Sequence, residues 1–274
     1  MRIFDCLRRK TEKTGNYIVD HYSGYDEDGR LVKRSRQPEY ITTMRYVEKY
    51  LKPGAKIIEI GAGTGRYSLA LAEKGYDVTA VDLTPHNLKI MRKKVKAHYN
   101  IKILEGNACD MSAFSDESFD IVLLLGPMYH LFTDEDKTRA MSEAIRIAKK
   151  GGVIFASYCN SDTAVYKLFY TGQILEFVDK GLIDENYKGL SEPKLVFELW
   201  RKTDIDSFMN QFPVTRLHFV GVDMLSYLYE NRLDRLNDRE FSEYMKFIDS
   251  LCERDDVTGL SIHMLDIFRK ENVK

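Results

Sequence analysis

Cysteine is scarce and scattered in this chain. Cys6, Cys109, Cys159 and Cys252 form no CxxC pair and have no histidine nearby at metal-ligand spacing. That argues against a disulfide framework and against a structural zinc site. Long apolar runs are missing as well. None approaches the roughly 18 residues of a membrane-spanning helix, and the N-terminal MRIFDCLRRK lacks the apolar core of a secretion signal. Neither charge is in excess: 41 Lys and Arg face 42 Asp and Glu, for a formal net charge of −1. No overall field therefore draws the chain to nucleic acid or to an anionic membrane. The expectation is a cytoplasmic protein with reduced thiols, no membrane contact and no metal. What is abundant is aromatic, with 17 Tyr and 14 Phe beside a single Trp.

The most informative stretch is AKIIEIGAGTG, residues 55–65. Ile57, Ile58 and Ile60 make a β-branched run that reads as a buried strand. The run stops at glycines 61, 63 and 65, and an amphipathic helix follows with Leu69, Leu71 and Ala72 as apolar positions. Glycine lets the backbone turn sharply and lets a ligand approach with no Cβ in the way. The free N–H groups at the helix start are natural donors to that ligand. The spacing is GxGxG. A dinucleotide-binding GxGxxG needs its third glycine at 66, where Arg66 stands, and a P-loop needs a Lys followed by Ser or Thr. Glu59, two residues before the first glycine, suits a ligand bearing positive charge better than a diphosphate.

Strands and helices alternate from 53 to 158. The strand YDVTAV (76–81) ends at Asp82, 21 residues after Gly61. In nucleoside-binding α/β folds an acid there accepts hydrogen bonds from ribose hydroxyls. Thr84 with Pro85 can start the next helix, over 85–98, without help from Asp82. Strand IKILE (101–105) meets Gly106-Asn107-Ala108, and the apolar FDIVLLL (119–125) suits a central parallel strand. It runs into Gly126-Pro127-Met128-Tyr129-His130, and a helix capped by Thr133 ends at Lys149-Lys150-Gly151-Gly152 before strand VIFASY. Beyond it come a helix over 162–180, a strand-like LVFELW (195–200), strand 214–222, helical segments 223–234 and 239–253, and a last strand over 259–268. Upstream, helices are expected over 5–22 and 38–51. The charged stretch between them reads as a solvated loop or as a mobile cover with Tyr17, Tyr22 and Tyr25 on its inner face.

EIGAGTG resembles motif I of the class I S-adenosylmethionine (AdoMet) dependent methyltransferases. FDIV…GPMYHL is similar to that family's motif IV, and KKGGVIF to its turn before strand five. On these motifs, over about 55–160, the chain is identified as a member of the family. The resemblance implies an α/β fold: a Rossmann-like, mostly parallel seven-stranded sheet with helices on both faces and an antiparallel last strand. It divides one domain into an N-terminal cap (1–52), a core (53–158 and 213–270) and an inserted substrate lid (159–212). It implies AdoMet as cofactor, held by Glu59, Gly61, Ala62, Gly63, Gly65, Tyr67, Asp82, Leu83, Asn107, Ala108 and Leu125, with Tyr22 from the cap. Asn107 stands where the family often has an acid, so either Asn107 or Asp110 makes the polar contact to adenine.

Methyl transfer is an in-line SN2 displacement that relies on alignment in a dry pocket. A neutral amine needs no base, whereas a hydroxyl usually does. His130 is the candidate base and Tyr129 a candidate orienting group. Both could instead line the cofactor site or cap the following helix. Arg66 could pair with the cofactor carboxylate or with Glu59, and His218 and His263 read as structural strand residues. GPMY differs from the NPPY or DPPY of enzymes acting on nucleic-acid bases or glutamine. A small-molecule acceptor is therefore expected, with RNA or protein methylation, or a non-catalytic AdoMet-binding regulator, as the alternatives.

Overall fold

The computed structural model describes residues 17–22 and 33–271. A central sheet is built from β1 (Lys56–Ile60), β2 (Asp77–Asp82), β3 (Ile101–Glu105), β4 (Phe119–Leu124), β5 (Ala148–Asn160), β7 (Val214–Gly221) and β8 (His263–Lys270). Their order is β3-β2-β1-β4-β5-β8-β7, and a two-residue β6 (Leu199–Trp200) pairs with β5 off this path. The expected seven-stranded sheet is thus present, with an eighth short strand added. Pairings from β3 to β5 are parallel, and β8 runs antiparallel to both β5 and β7.

The core explains the apolar runs. Ile57, Ile58 and Ile60 are buried because parallel strands here are covered on both faces. On one face pack helices Asp134–Ile147 and Lys202–Met209, through Ala140, Met141, Ala144 and Ile205. On the other pack helices Gln37–Tyr50, Arg66–Glu73 and Asp238–Leu251, through Val47, Leu71 and Ile248. Helix Pro85–Lys94 seals the β2 side with Leu88 and Met91. Among the described residues no helix is long and apolar enough to cross a membrane.

Several boundaries differ from the sequence expectation. The helix expected over 162–180 is two helices, Ser161–Thr171 and Ile174–Asp179. Gly172 breaks it: at φ 73° its N–H turns back to the Leu168 and Phe169 carbonyls, a left-handed helix end that glycine adopts readily. LVFELW is not one strand. Pro193–Leu195 is a 3-10 turn and Val196 has φ 71°, so only Leu199 and Trp200 join the sheet. The helix expected to 98 stops at Lys94, and the last strand begins at His263 rather than at 259. The 223–234 segment is a 3-10 turn followed by the single helical turn Glu230–Leu233. Residues 17–22 are helical; the rest of the expected 5–22 helix, with Tyr25 and the acidic cluster 26–28, lies outside the described residues.

Candidate active site

The carboxyl ends of β1, β2 and β4 open on one cavity. One end of it is framed by the glycine loop. Gly61 and Ala62 donate their N–H groups to the Val81 carbonyl at 2.8 and 3.0 Å, which ties the loop to the end of β2. Gly61 has φ 79°, and a Cβ there would lie 2.7 Å from Pro127 Cδ, so the loop and the Gly126-Pro127 turn need a glycine to approach this closely. Asp82 is 6% exposed. Its Oδ2 accepts from the Gly63 N–H at 2.7 Å and its Oδ1 from the Thr84 N–H at 2.8 Å. The carboxylate therefore links both loops, and it organises the helix start that Thr84 was expected to manage alone: Thr84 makes no side-chain cap bond. Burial raises the Asp82 pKa, while its hydrogen bonds to Thr84, Gly63 and Asn87 pull it down.

Glu59 is an acid inside the core of the sheet, 2% exposed. The Ser68 N–H donates to its Oε2 at 2.9 Å, and the Ser68 hydroxyl donates to the same oxygen. Burial nevertheless lifts its pKa to about 8, because the charged form loses more hydration than these bonds return. Arg66 stands 4.4 Å over the Tyr40 ring, which in turn packs on Tyr67. Asn107 Oδ1 accepts from the Cys109 N–H at 3.0 Å, fixing the turn that brings Asn107 and Ala108 to the cavity. Asp110 accepts from Ser112 and is not on the cavity wall, which leaves Asn107 as the polar residue there.

The opposite end carries an aromatic cluster. His130 Nδ1 lies 2.8 Å from the Val196 carbonyl, which can only accept, so Nδ1 carries the ring proton. Burial holds the His130 pKa down to about 4, and the ring is neutral. Its Nε2 lone pair therefore accepts from the Tyr22 hydroxyl at 2.9 Å. Tyr129 donates its hydroxyl to the Leu125 carbonyl at 2.8 Å. Residues 196–200 strap this end. Phe197 packs on His130 at 5.4 Å, Glu198 N–H donates to the Tyr129 carbonyl at 2.8 Å, and Trp200 Nε1 donates to the Met128 carbonyl at 3.1 Å. Lys137 joins Glu198 at 2.6 Å beside Trp200. Val196 adopts φ 71° and ψ −30°, strained for a β-branched residue and worth about 1–3 kcal/mol; the conformation aims its carbonyl at His130.

Residues 58–156 match the family model described as a methyltransferase domain. Over those residues the chain carries a methyltransferase domain. It is 30% identical over 158 residues to a ubiquinone biosynthesis O-methyltransferase of Xanthomonas axonopodis pv. citri, covering 55% of this chain and 62% of that relative. It is also 26% identical over 110 residues to a putative methyltransferase of Bacillus subtilis, covering 40% of this chain and 44% of the relative. The chain thus spans less than two thirds of the length of these curated relatives. A solved structure from Thermotoga maritima, described as a possible histamine N-methyltransferase, shares the fold at TM-score 0.55 and 16% identity, over 95% of this chain and 99% of that one.

The cavity fits AdoMet in its charges. Glu39, Glu59 and Asp82 line the cavity with Arg66, a set that suits a ligand carrying a sulfonium, an ammonium and one carboxylate. Gly63 at φ 54° has nothing within 4 Å of where a Cβ would stand, leaving an open cradle on the loop. Of the residues expected to hold the cofactor, Glu59, Gly61, Ala62, Gly63, Tyr67, Asp82, Leu83, Asn107, Ala108, Leu125 and Tyr22 all line this cavity, as do Tyr129 and His130. Gly65 does not. At φ 89°, with a Cβ position 2.6 Å from Met91 Cγ, it serves the packing of loop on helix instead.

Three contributors escaped the sequence reading. Glu39 sits in the first turn of helix Gln37–Tyr50, where an acid looks like an ordinary helix-start residue. Val196 is a β-branched residue in a conformation that propensity disfavours. His263 is a strand residue as expected, and from the start of β8 it also places Nδ1 2.6 Å from Asp223 Oδ2 and 3.6 Å from Glu39 Oε2. Only the first two had a local signal, and in each it pointed elsewhere.

Proposed function

We propose that this protein transfers the methyl group of AdoMet to a small-molecule acceptor bound between the Tyr22–His130 pair and the glycine loop. When bound, AdoMet supplies an electrophilic methyl group on a sulfonium. Asp82 and Asn107 would hold its nucleoside, and Glu59 would accept from its ammonium group. The observation that carries the reading is the cavity itself: carboxylates line it, and one end is closed by the aromatic strap 196–200.

The pair at the acceptor end narrows the chemistry. His130, held near a pKa of 4, is a weak proton acceptor at neutral pH. Its role in this reading is to fix the Tyr22 hydroxyl at the acceptor end of the cavity. That arrangement favours a nucleophile already neutral or ionised in solution, positioned rather than deprotonated by the enzyme. The segment 159–212 acts in this reading as the lid foreseen for it, since Val196, Phe197 and Glu198 all bear on Tyr129 and His130.

The test is methyl-labelled AdoMet incubated with the protein and, separately, with a small-metabolite extract, total RNA and total protein. Label entering the metabolite fraction is the expected result. Label entering only RNA or protein contradicts the small-molecule reading, and no transfer despite tight cofactor binding points to a regulator.

A further inference from the structure

We propose that Glu39, Asp223 and His263 form a divalent-metal site that opens on the same cavity. The three come from separate elements: helix Gln37–Tyr50, the turn after β7, and the first residue of β8. Glu39 Oε2, Asp223 Oδ2 and His263 Nδ1 lie within 4.8 Å of one another. One imidazole nitrogen and two carboxylate oxygens make a donor set for zinc, manganese or iron. Zinc outranks manganese and ferrous iron in intrinsic affinity for such ligands, so it is the ion expected to bind tightest.

The cluster also has the outer layer of hydrogen bonds that orients metal ligands. Asp223 is fully buried. Its second oxygen, Oδ1, accepts from the Ser261 hydroxyl at 2.8 Å and from the His263 backbone N–H at 3.1 Å. Glu39 Oε2 accepts from the Tyr227 hydroxyl at 3.1 Å. Tyr227 is covered by the Arg36 guanidinium, 3.5 Å from its ring centroid, and Arg36 is pinned by Glu230 at 2.7 Å. An ion held tetrahedrally about 2.0–2.2 Å from each donor sets the donors roughly 3.4 Å apart, so the 2.6 Å His263–Asp223 contact opens by about 0.8 Å on binding. Three protein ligands leave a coordination position open, and Glu39, alone of the three, lines the cavity wall. The proposal stands apart from the methyl-transfer reading, because the cluster's geometry owes nothing to it.

The experiment titrates the full, chelator-treated chain with zinc sulfate and with manganese chloride by calorimetry, after counting metal in protein purified without chelator. One equivalent of zinc is expected, bound more tightly than manganese. Glu39→Gln keeps an acceptor for Tyr227 and His263→Gln keeps the ring's approximate size; each is expected to weaken zinc binding by about 100-fold or more. Cys159→Ser is expected to bind as wild type does, which excludes the neighbouring thiol as the source. The proposal fails if the wild type takes up no stoichiometric zinc, leaving only an ion pair between His263 and the two acids. It fails equally if both variants bind as the wild type does. Should His263→Gln not fold, Glu39→Gln, changed at the cavity wall, decides alone.

Discussion

Glu59, Gly61, Gly63, Asp82 and Ala108 reach the cavity from one continuous stretch of chain, and backbone N–H groups hold them there. Tyr22, Glu39 and His130 reach its other end from three separate segments, and the Val196 carbonyl and the Asp223–His263 pair back them from three more. The first end is tied together by backbone N–H bonds between neighbouring strand ends, Gly61 and Ala62 to Val81 and Gly63 to Asp82. The second exists only once the fold has closed. The difference teaches where specificity can change: the continuous end fixes one ligand, whereas the assembled end can be rebuilt by substitutions far apart in sequence.

The largest effect should come from breaking the continuous end. Gly61→Val puts a β-branched side chain at φ 79° and against Pro127. A stability loss of about 3 kcal/mol or more is expected in chemical denaturation, with S-adenosylhomocysteine binding lost in calorimetry. A variant of near wild-type stability would show that the loop is looser than its contacts indicate.

At the assembled end, Tyr22→Phe removes only the hydroxyl that donates to His130. Turnover is expected to fall roughly 10–100-fold, the scale of one lost orienting hydrogen bond, with cofactor affinity nearly unchanged. Equal losses in both would place Tyr22 on the cofactor instead.

Glu59 supplies a pH signature of the continuous end. With a pKa of about 8 in the free protein, it is mostly protonated at neutral pH, and a cationic group arriving beside it favours the carboxylate. Cofactor affinity should therefore drop by up to about tenfold per pH unit as pH falls below 8, with proton release on binding. In Glu59→Gln this dependence should vanish. For folding alone the sign is opposite. Because the folded pKa is raised above its unfolded value of 4.5, the contribution of Glu59 is fully present below pH 4.5 and is lost as pH rises towards 8.

The smallest effect belongs to Val196. In Val196→Gly, relief of about 1–3 kcal/mol of backbone strain offsets the burial lost, so stability should move by less than about 1 kcal/mol. Val165→Gly, at similar burial but inside helix Ser161–Thr171, should cost about 2 kcal/mol or more.

These contrasts follow what was legible beforehand. The strands β1 to β5 announced themselves as β-branched or continuous apolar runs between glycines, and the glycine spacing with Glu59 and Asp82 marked one end of the cavity. Those are local signals, and the fold adds little to them. The break at Gly172 was hidden because apolar residues continue on both sides at helical spacing. β6 was overestimated because LVFELW has strand propensity that the turn at Val196 interrupts. Glu39, Asp223 and His263 carried no shared signal, since only tertiary pairing across 40 residues and more brings them together. The role of Asp82 was legible in part: its place at the end of β2 was clear, but not its two bonds to the backbone of the facing loops.

At the centre of the proposed function is an AdoMet site at the ends of β1, β2 and β4, anchored by Asp82. Calorimetric titration of S-adenosylhomocysteine into wild type and Asp82→Ala tests that most directly, with melting of the ligand-free proteins measured alongside. One equivalent is expected to bind the wild type, and the variant is expected to bind at least about 100-fold more weakly while remaining folded. Equal affinity in the two proteins, or no binding by the wild type, would contradict it.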